Sequence, residues 1–304
     1  MSLRGVVPPV VTPLLPTGEF DRESFDRNVN RMLDAGVHGL FVMGSSGEVA
    51  YSTDRRRDEV TRAAVEVAAG RVPVLVGAID MQTARVVEQA QRAQDLGADA
   101  IVITAPFYGL GGPEQVERHF RVVAEAVDAP LYAYDLPVSV HTKLQPEMLV
   151  RLGVDGVLAG VKDSSGDDVS FRRLVLANRD AGSPLSLLTG HEVVVDGAYL
   201  SGADGAVPGL GNVDPHGFVR QWEAYRAGDW AAVQAEQDRL SRLMDITSVV
   251  KGVSGFGAGV GAFKTALQLL GVFTSNQMPE PVPSLTGANV EAIANVLRAE
   301  GLLD

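Results

Sequence analysis

Short runs that are apolar at successive positions alternate along the chain with longer stretches in which apolar residues return every three or four places. The runs are GVVPPVV (5–11), GLFVMG (39–44), VPVLVGA (72–78), ADAIVITAP (98–106), APLYAYDLP (129–137), GVLAGVK (156–162), LSLLTG (185–190) and GADGAVPG (202–209). Between them lie DRESFDRNVNRMLDAG, DRRRDEVTRAAVEVAAG, TARVVEQAQRAQDLG, PEQVERHFRVVAEAV and SFRRLVLANRD. Several of these open on a capping residue or proline and close near glycine, as helices do. A strand apolar on both faces must be covered on both, which is the situation of parallel strands wrapped by helices. Eight such units predict a closed (β/α)8 TIM barrel.

After the eighth run the alternation stops. PHGFVRQWEAYRAGD, WAAVQAEQDRLSRLMDI, AFKTALQLLG and GANVEAIANVLRAE read as helices, with the proline-rich linker TSNQMPEPVPSLTG before the last. The expected organisation is a barrel core over residues 1–213 and, over 214–304, the last barrel helix with a C-terminal helical appendage. A doubly wound open sheet competes, but it would carry a glycine-rich nucleotide turn after its first strand, and VVTPLLPTGEF is not one. GAGVGA (257–262) matches GxGxxA late in the chain and outside a βαβ pattern, so it reads as a flexible or closely packed approach to a helix.

Composition narrows the function classes. A chain of 304 residues, 46% hydrophobic and 21% charged, holds enough apolar material for a large core. Its net charge of −12 repels phosphate backbones and anionic bilayers, so neither nucleic acid nor a membrane is expected as partner. No cysteine is present, and the five histidines lack HxxH or HExxH spacing, so no metal site is expected. The first twenty residues contain four prolines and suit neither a signal peptide nor a membrane span, which points to a cytoplasmic protein.

The cations change the picture further. There are 22 arginines and four lysines (Lys143, Lys162, Lys251 and Lys264), and Lys162 sits at the end of an apolar run in LAGVKDSSGD. A lysine in apolar surroundings can become a nucleophilic amine, whereas arginine stays charged; the plainer reading is a stem reaching to solvent. In a barrel the reacting groups come from the C-terminal strand ends. Those ends carry GSSGE (44–48), APFYG (105–109), YDLP (134–137) and VKDSSGD (161–167). GSSGE offers hydroxyls and backbone N–H groups to a carboxylate, although such a turn is also ordinary loop chemistry. Tyr134 is either a proton carrier or a rim packing residue. Together they suggest an amine on Lys162 forming an imine with a 2-oxo acid, the electron sink for making or breaking a neighbouring carbon–carbon bond. Such imine chemistry requires no cofactor.

With its GxxGE turn, Y-x-x-P element and GxKDxxGD segment in that order, the sequence resembles the dihydrodipicolinate synthase/N-acetylneuraminate lyase family of class I, pyruvate-handling aldolases over nearly its whole length. The resemblance implies that Lys162 is the Schiff-base lysine, Tyr134 the proton-transferring tyrosine, and Ser45 and Ser46 the carboxylate-binding pair. It implies that Tyr108 serves a neighbouring subunit's site, that Gly190 and Val207 touch the bound 2-oxo acid, and that the protein is a homo-oligomer, a dimer of dimers. Where the synthase carries an arginine two residues after the proline of Y-x-x-P, this chain has Ser139, and Asp135 stands where asparagine is usual. A serine cannot replace the arginine's forked clamp on a substrate carboxylate. The expected activity is therefore cleavage or dehydration of a 2-keto-3-deoxy sugar acid or hydroxy-2-oxo acid. Dihydrodipicolinate synthase and an N-acetylneuraminate lyase-like activity are the alternatives within the mechanism. A non-catalytic ligand-binding barrel, and a phosphate- or flavin-binding one, lie outside it.

Overall fold

The computed structural model describes residues 2–304. The eight apolar runs contain eight parallel strands, β1 (Gly5–Val6), β2 (Leu40–Val42), β3 (Val74–Gly77), β4 (Ala100–Thr104), β5 (Leu131–Asp135), β6 (Gly160–Asp163), β7 (Ser186–Thr189) and β8 (Gly205–Ala206), paired in the order β1-β8-β7-β6-β5-β4-β3-β2. The ring closes between the first run and β2. His38 N–H donates to the Val6 carbonyl (2.8 Å), Phe41 N–H to Pro8 (3.0 Å) and Val10 N–H to Phe41 (2.8 Å). Pro8, which faces β2, has no N–H to give, so this seam is a few separate bonds rather than a ladder.

The alternation of side chains explains why the runs look apolar throughout. Phe41, Leu75, Val102, Tyr132, Tyr134, Leu188 and Val207 point inward and pack as one cluster. Their neighbours Leu40, Val42, Val74, Val76, Ile101, Ile103 and Ala133 point outward into a second, larger cluster shared with the helices. The members of both clusters are buried, so both strand faces are apolar over most of their length. Gly160 is required by this filling: a Cβ there would lie 2.3 Å from the Tyr132 ring and 2.6 Å from the Ser186 carbonyl.

The barrel helices are α1 (Arg22–Asp34), α2 (Asp54–Ala68), α3 (Thr83–Asp95), α4 (Pro113–Ala126), the short α5 (Pro137–Val140), α6 (Pro146–Val154), α7 (Asp168–Asp180), α8 (Val195–Ser201) and α9 (Pro215–Ala227). Asp21, Asp167 and Asp214 cap α1, α7 and α9 through N–H bonds from Ser24, Ser170 and Gly217. Helices α5, α6 and α8 escape the pattern reading because four to nine residues are too few to establish a helical period. The C-terminal region adds α10 (Trp230–Leu243), α11 (Phe256–Leu269) and α12 (Ala288–Ala299). GAGVGA lies inside α11, where a Cβ added at Gly257 would come within 2.6 Å of Val253 and 3.0 Å of Val282 while Gly259 has open space around it, so close packing accounts for the first glycine. Among the described residues no helix is long and apolar enough to cross a membrane.

Candidate active site

Strand register places the two leading sequence candidates side by side, for Tyr134 of β5 pairs with Lys162 of β6 and both point into the barrel. Lys162 is 6% exposed. Its Nζ lies 4.1 Å from the centroid of the Tyr134 ring and 5.0 Å from that of Phe41. These two rings meet edge to face, with centroids 6.3 Å apart. Within the described residues, the ion pairs made by lysine belong to Lys143 and Lys264. Aromatic faces attract the ammonium form only modestly, by about 0.5–2 kcal/mol, and strand no charge when the amine is neutral.

The Tyr134 hydroxyl sits 3.5 Å from Ser45 Oγ. Burial works to raise the pKa of this phenol, but the Lys162 charge and hydrogen bonds with Ser45, Ser164 and Lys162 outweigh it and pull it below the ordinary tyrosine value. That suits a group that gives and takes protons. Ser45 and Ser46 occupy the turn after β2, both partly buried. The turn is closed by Glu48 N–H on the Ser45 carbonyl (3.0 Å) and by the Thr12 hydroxyl on the Gly47 carbonyl (2.8 Å). Gly190 lies against the lysine: a Cβ there would come within 2.0 Å of Ser164 Oγ and 3.1 Å of Lys162 Cε. Val207 is buried in the inward cluster that also holds Tyr134 and Phe41.

Two of the expected residues stand apart within the single chain. Ser139 is exposed on α5. Tyr108 is 91% exposed on a left-handed backbone with φ of 74°, turned outward rather than toward Tyr134.

Other groups escaped the sequence reading. Phe41 was hidden in an apolar run, where an inward aromatic looks like any core residue. Ser164 follows the lysine directly in KDSSGD, and its motif position was the available signal. Glu192 accepts the Leu210 N–H at 2.6 Å. Burial pushes its carboxyl up to about 7, against the N–H groups of Leu210 and Gly209 and the charge of Lys162. Glu48 is 2% exposed and holds Lys264, 0% exposed, through oxygens at 2.7 and 2.8 Å. Lys264 also donates to the Gln277 carbonyl at 2.9 Å. Helix α11 is thereby tied to the serine turn.

The arrangement is an enclosed amine with the Tyr134 ring beside it, and the tyrosine hydroxyl facing Ser45 of a small polar turn. A model of the dihydrodipicolinate synthetase family matches residues 2–300 of this chain. The chain belongs to the dihydrodipicolinate synthetase family. An uncharacterized DapA-like lyase of Halobacterium salinarum is 35% identical over 304 residues, covering 100% of this chain and 96% of its own. The 4-hydroxy-tetrahydrodipicolinate synthase of Phenylobacterium zucineum is 32% identical over 302 residues, covering 99% and 98%. Among solved structures, YagE of E. coli K12, a prophage protein of this family in complex with pyruvate, superposes with a TM-score of 0.92 at 27% identity, covering 98% of this chain and 99% of that one. Dihydrodipicolinate synthetase family members are lyases of the aldolase type that act through a Schiff-base lysine, and so does this protein. The barrel with its C-terminal helices, read from the runs alone, is the fold of its relatives.

Proposed function

We propose that Lys162 is the Schiff-base lysine and that the protein cleaves or dehydrates a 2-keto-3-deoxy sugar acid or a related hydroxy-2-oxo acid. The observation that carries this reading is the placement of the buried Lys162 amine against the Tyr134 ring, with the tyrosine hydroxyl facing Ser45. The neutral amine adds to C2 of the oxo acid, and loss of water from the carbinolamine leaves an iminium. In the cleavage branch a base removes the C4 hydroxyl proton, the C3–C4 bond breaks, and its electron pair flows into the iminium to give an enamine and an aldehyde. Protonation at C3 and hydrolysis release pyruvate and restore the amine. Tyr134 carries protons in the carbinolamine and cleavage steps, and the N–H groups and hydroxyls of the Ser45–Ser46 turn hold the carboxylate. Gly190 and Val207 leave room for the oxo acid.

The exposed Ser139 supports a substrate other than the second carboxylate-bearing partner of the synthase. Losing a forked arginine contact costs about 2–3 kcal/mol, roughly a hundredfold in rate. The names of several relatives favour the synthase as a second reading. One preparation separates the two. A panel of 2-oxo acids with borohydride, followed by intact mass and peptide mapping, is expected to give a reduced adduct on Lys162. Cleavage or dehydration of 2-keto-3-deoxy sugar acids is expected to exceed condensation of pyruvate with aspartate semialdehyde in kcat/KM. An adduct on another residue removes Lys162 from the role, and efficient condensation without sugar-acid activity restores the synthase.

Assembly as a dimer of dimers goes with this reading. Its support is the exposed apolar group of Met81, Tyr108 and Leu110, at 51%, 91% and 58%, in loops joined by the Phe107 N–H on the Met81 carbonyl. A partner covering that group would meet Tyr108.

A further inference from the structure

The positions that follow Tyr134 and Lys162 on their strands point to the opposite side of the sheet, and both are acids. Asp135 and Asp163 pair in register and are 0% and 5% exposed. Two carboxylates side by side and out of water repel each other strongly. Burial, together with the charge of Asp163, pushes Asp135 up to about 6 even with a lysine beside it. That lysine is Lys143, from the segment that follows α5. Its Nζ is bonded to Asp135 Oδ2, lies 3.8 Å from Asp163 Oδ2, and donates to the Leu144 carbonyl at 3.3 Å.

The remaining oxygens are committed as well. Asp135 Oδ1 accepts the Leu144 N–H at 3.1 Å, and Asp163 Oδ1 accepts the Ser165 N–H at 2.8 Å. The segment between Asp135 and Leu144, which carries Ser139, is therefore fastened at its base. The backbone continues the same construction, with Ser164 N–H on the Asp135 carbonyl (2.9 Å) and Gly190 N–H on that of Asp163 (2.7 Å). Apart from the Lys143 bond to the Leu144 carbonyl, every bond in the set involves Asp135 or Asp163, the residues next to Tyr134 and Lys162.

We propose that Lys143 is a positioning residue, whose ammonium, shared between Asp135 and Asp163, fixes the ends of β5 and β6 against each other and so holds the Tyr134 hydroxyl and the Lys162 amine in the geometry that imine chemistry requires. The inference rests on the Schiff-base reading of Lys162. A side chain on the far side of the sheet cannot touch substrate. Its effect reaches the site through the height of two adjacent strand ends, where a displacement near 1 Å costs about a hundredfold in rate. Lys143 is only partly buried, 24% exposed at its side chain, so shortening it opens no large cavity.

The test uses the full chain with K143M, K143R, D135N and the double variant D135N/K143M, each carried through borohydride trapping with pyruvate and steady-state kinetics on its best substrate. K143M is expected to lower kcat and the trapping rate by about 10- to 100-fold while KM changes less than about threefold. K143R, which keeps the bridging charge, is expected to recover most of the loss. The double variant removes one of the two buried carboxylates that K143M leaves without their cation, and with it their mutual repulsion, and is expected to regain much of the denaturation midpoint but not kcat. It also reads the proposal should K143M not fold. A kcat within twofold of the unaltered protein in K143M, or a kcat restored by adding D135N, overturns the inference. So does a loss confined to KM. No trapping in the unaltered protein overturns the Schiff-base reading and this inference with it, whereas normal trapping there with an indifferent K143M overturns this inference alone.

Discussion

At the barrel mouth and in the C-terminal appendage the protein buries a lysine, Lys162 at 6% exposure and Lys264 at 0%, and gives each different company. Around Lys162 stand the rings of Tyr134 and Phe41, with the tyrosine hydroxyl and Ser45 beyond. Around Lys264 stand the carboxylate of Glu48 and the carbonyl of Gln277. Burial pushes Lys264 down and Glu48 up, and each is pulled back by its partner. Removing the proton from Lys264 would strand an acid in the core. Lys162 has no carboxylate at ion-pair distance among the described residues, and rings and hydroxyls are its near neighbours. Burial alone therefore does not free an amine for attack, since a carboxylate bonded to it, as Glu48 is to Lys264, favours the charged form.

The comparison breaks most completely if the two lysines can be exchanged in role. Lys162→Ala is expected to abolish adduct formation and to lower kcat by at least about 10⁴-fold with the fold intact, and Lys162→Arg should not rescue it because a guanidinium keeps its proton. Normal turnover by either variant would end the distinction. On the same side, Tyr134→Phe is expected to lower kcat by about 10²- to 10⁴-fold with a much smaller change in pyruvate binding. A nearly unchanged kcat would return this tyrosine to a packing role.

Lys264→Met should instead show in stability. It leaves Glu48 buried without a partner, a loss of about 3–5 kcal/mol in urea denaturation, which the further change Glu48→Gln largely restores. If the single variant unfolds like the unaltered protein, the pair is not the clamp described here. Glu192 sharpens the comparison least but with a definite sign. Folded, its carboxyl keeps its proton to about pH 7, while its ordinary value is 4.5. Its stabilising contribution is complete below 4.5 and is lost as pH rises through 7. Glu192→Gln is therefore expected to gain stability at pH 8, on the order of 2 kcal/mol, and to match the unaltered protein at about pH 4. An equal difference at both pH values would show that charge is not the cause.

The two regions were unequally legible. Lys162, Tyr134 and the serine turn could be picked out because they sit where periodic apolar runs end, and a barrel rule says that such ends converge. Gly190 was found through the resemblance, and the structure sets it against Lys162 and Ser164. Phe41 was not separable from core, because β2 is apolar on both faces and periodicity does not say which face carries the site. Lys264 and Glu48 are 216 positions apart, and no local pattern records such a contact. Lys143 lay near the site in sequence, but its role depends on strand register, which placed Asp135 opposite Asp163. Ser139 and Tyr108 were named for chemistry with a second substrate or a second subunit, and within one chain both lie exposed.

The proline seam of the barrel bears on how the molecule is made. Gly5 pairs with Gly205, so β1 has no neighbour on that side until roughly 200 further residues have left the ribosome. At the usual 5–20 residues per second, that is on the order of 10–40 s during which the opening segment waits beside β2. A waiting strand with a full row of donors would invite pairing with other chains. Pro9, in line with Gly5 and Val7, removes one donor from that open side, whereas Pro8 faces β2, so one proline of the pair blunts the waiting edge and the other thins the finished seam.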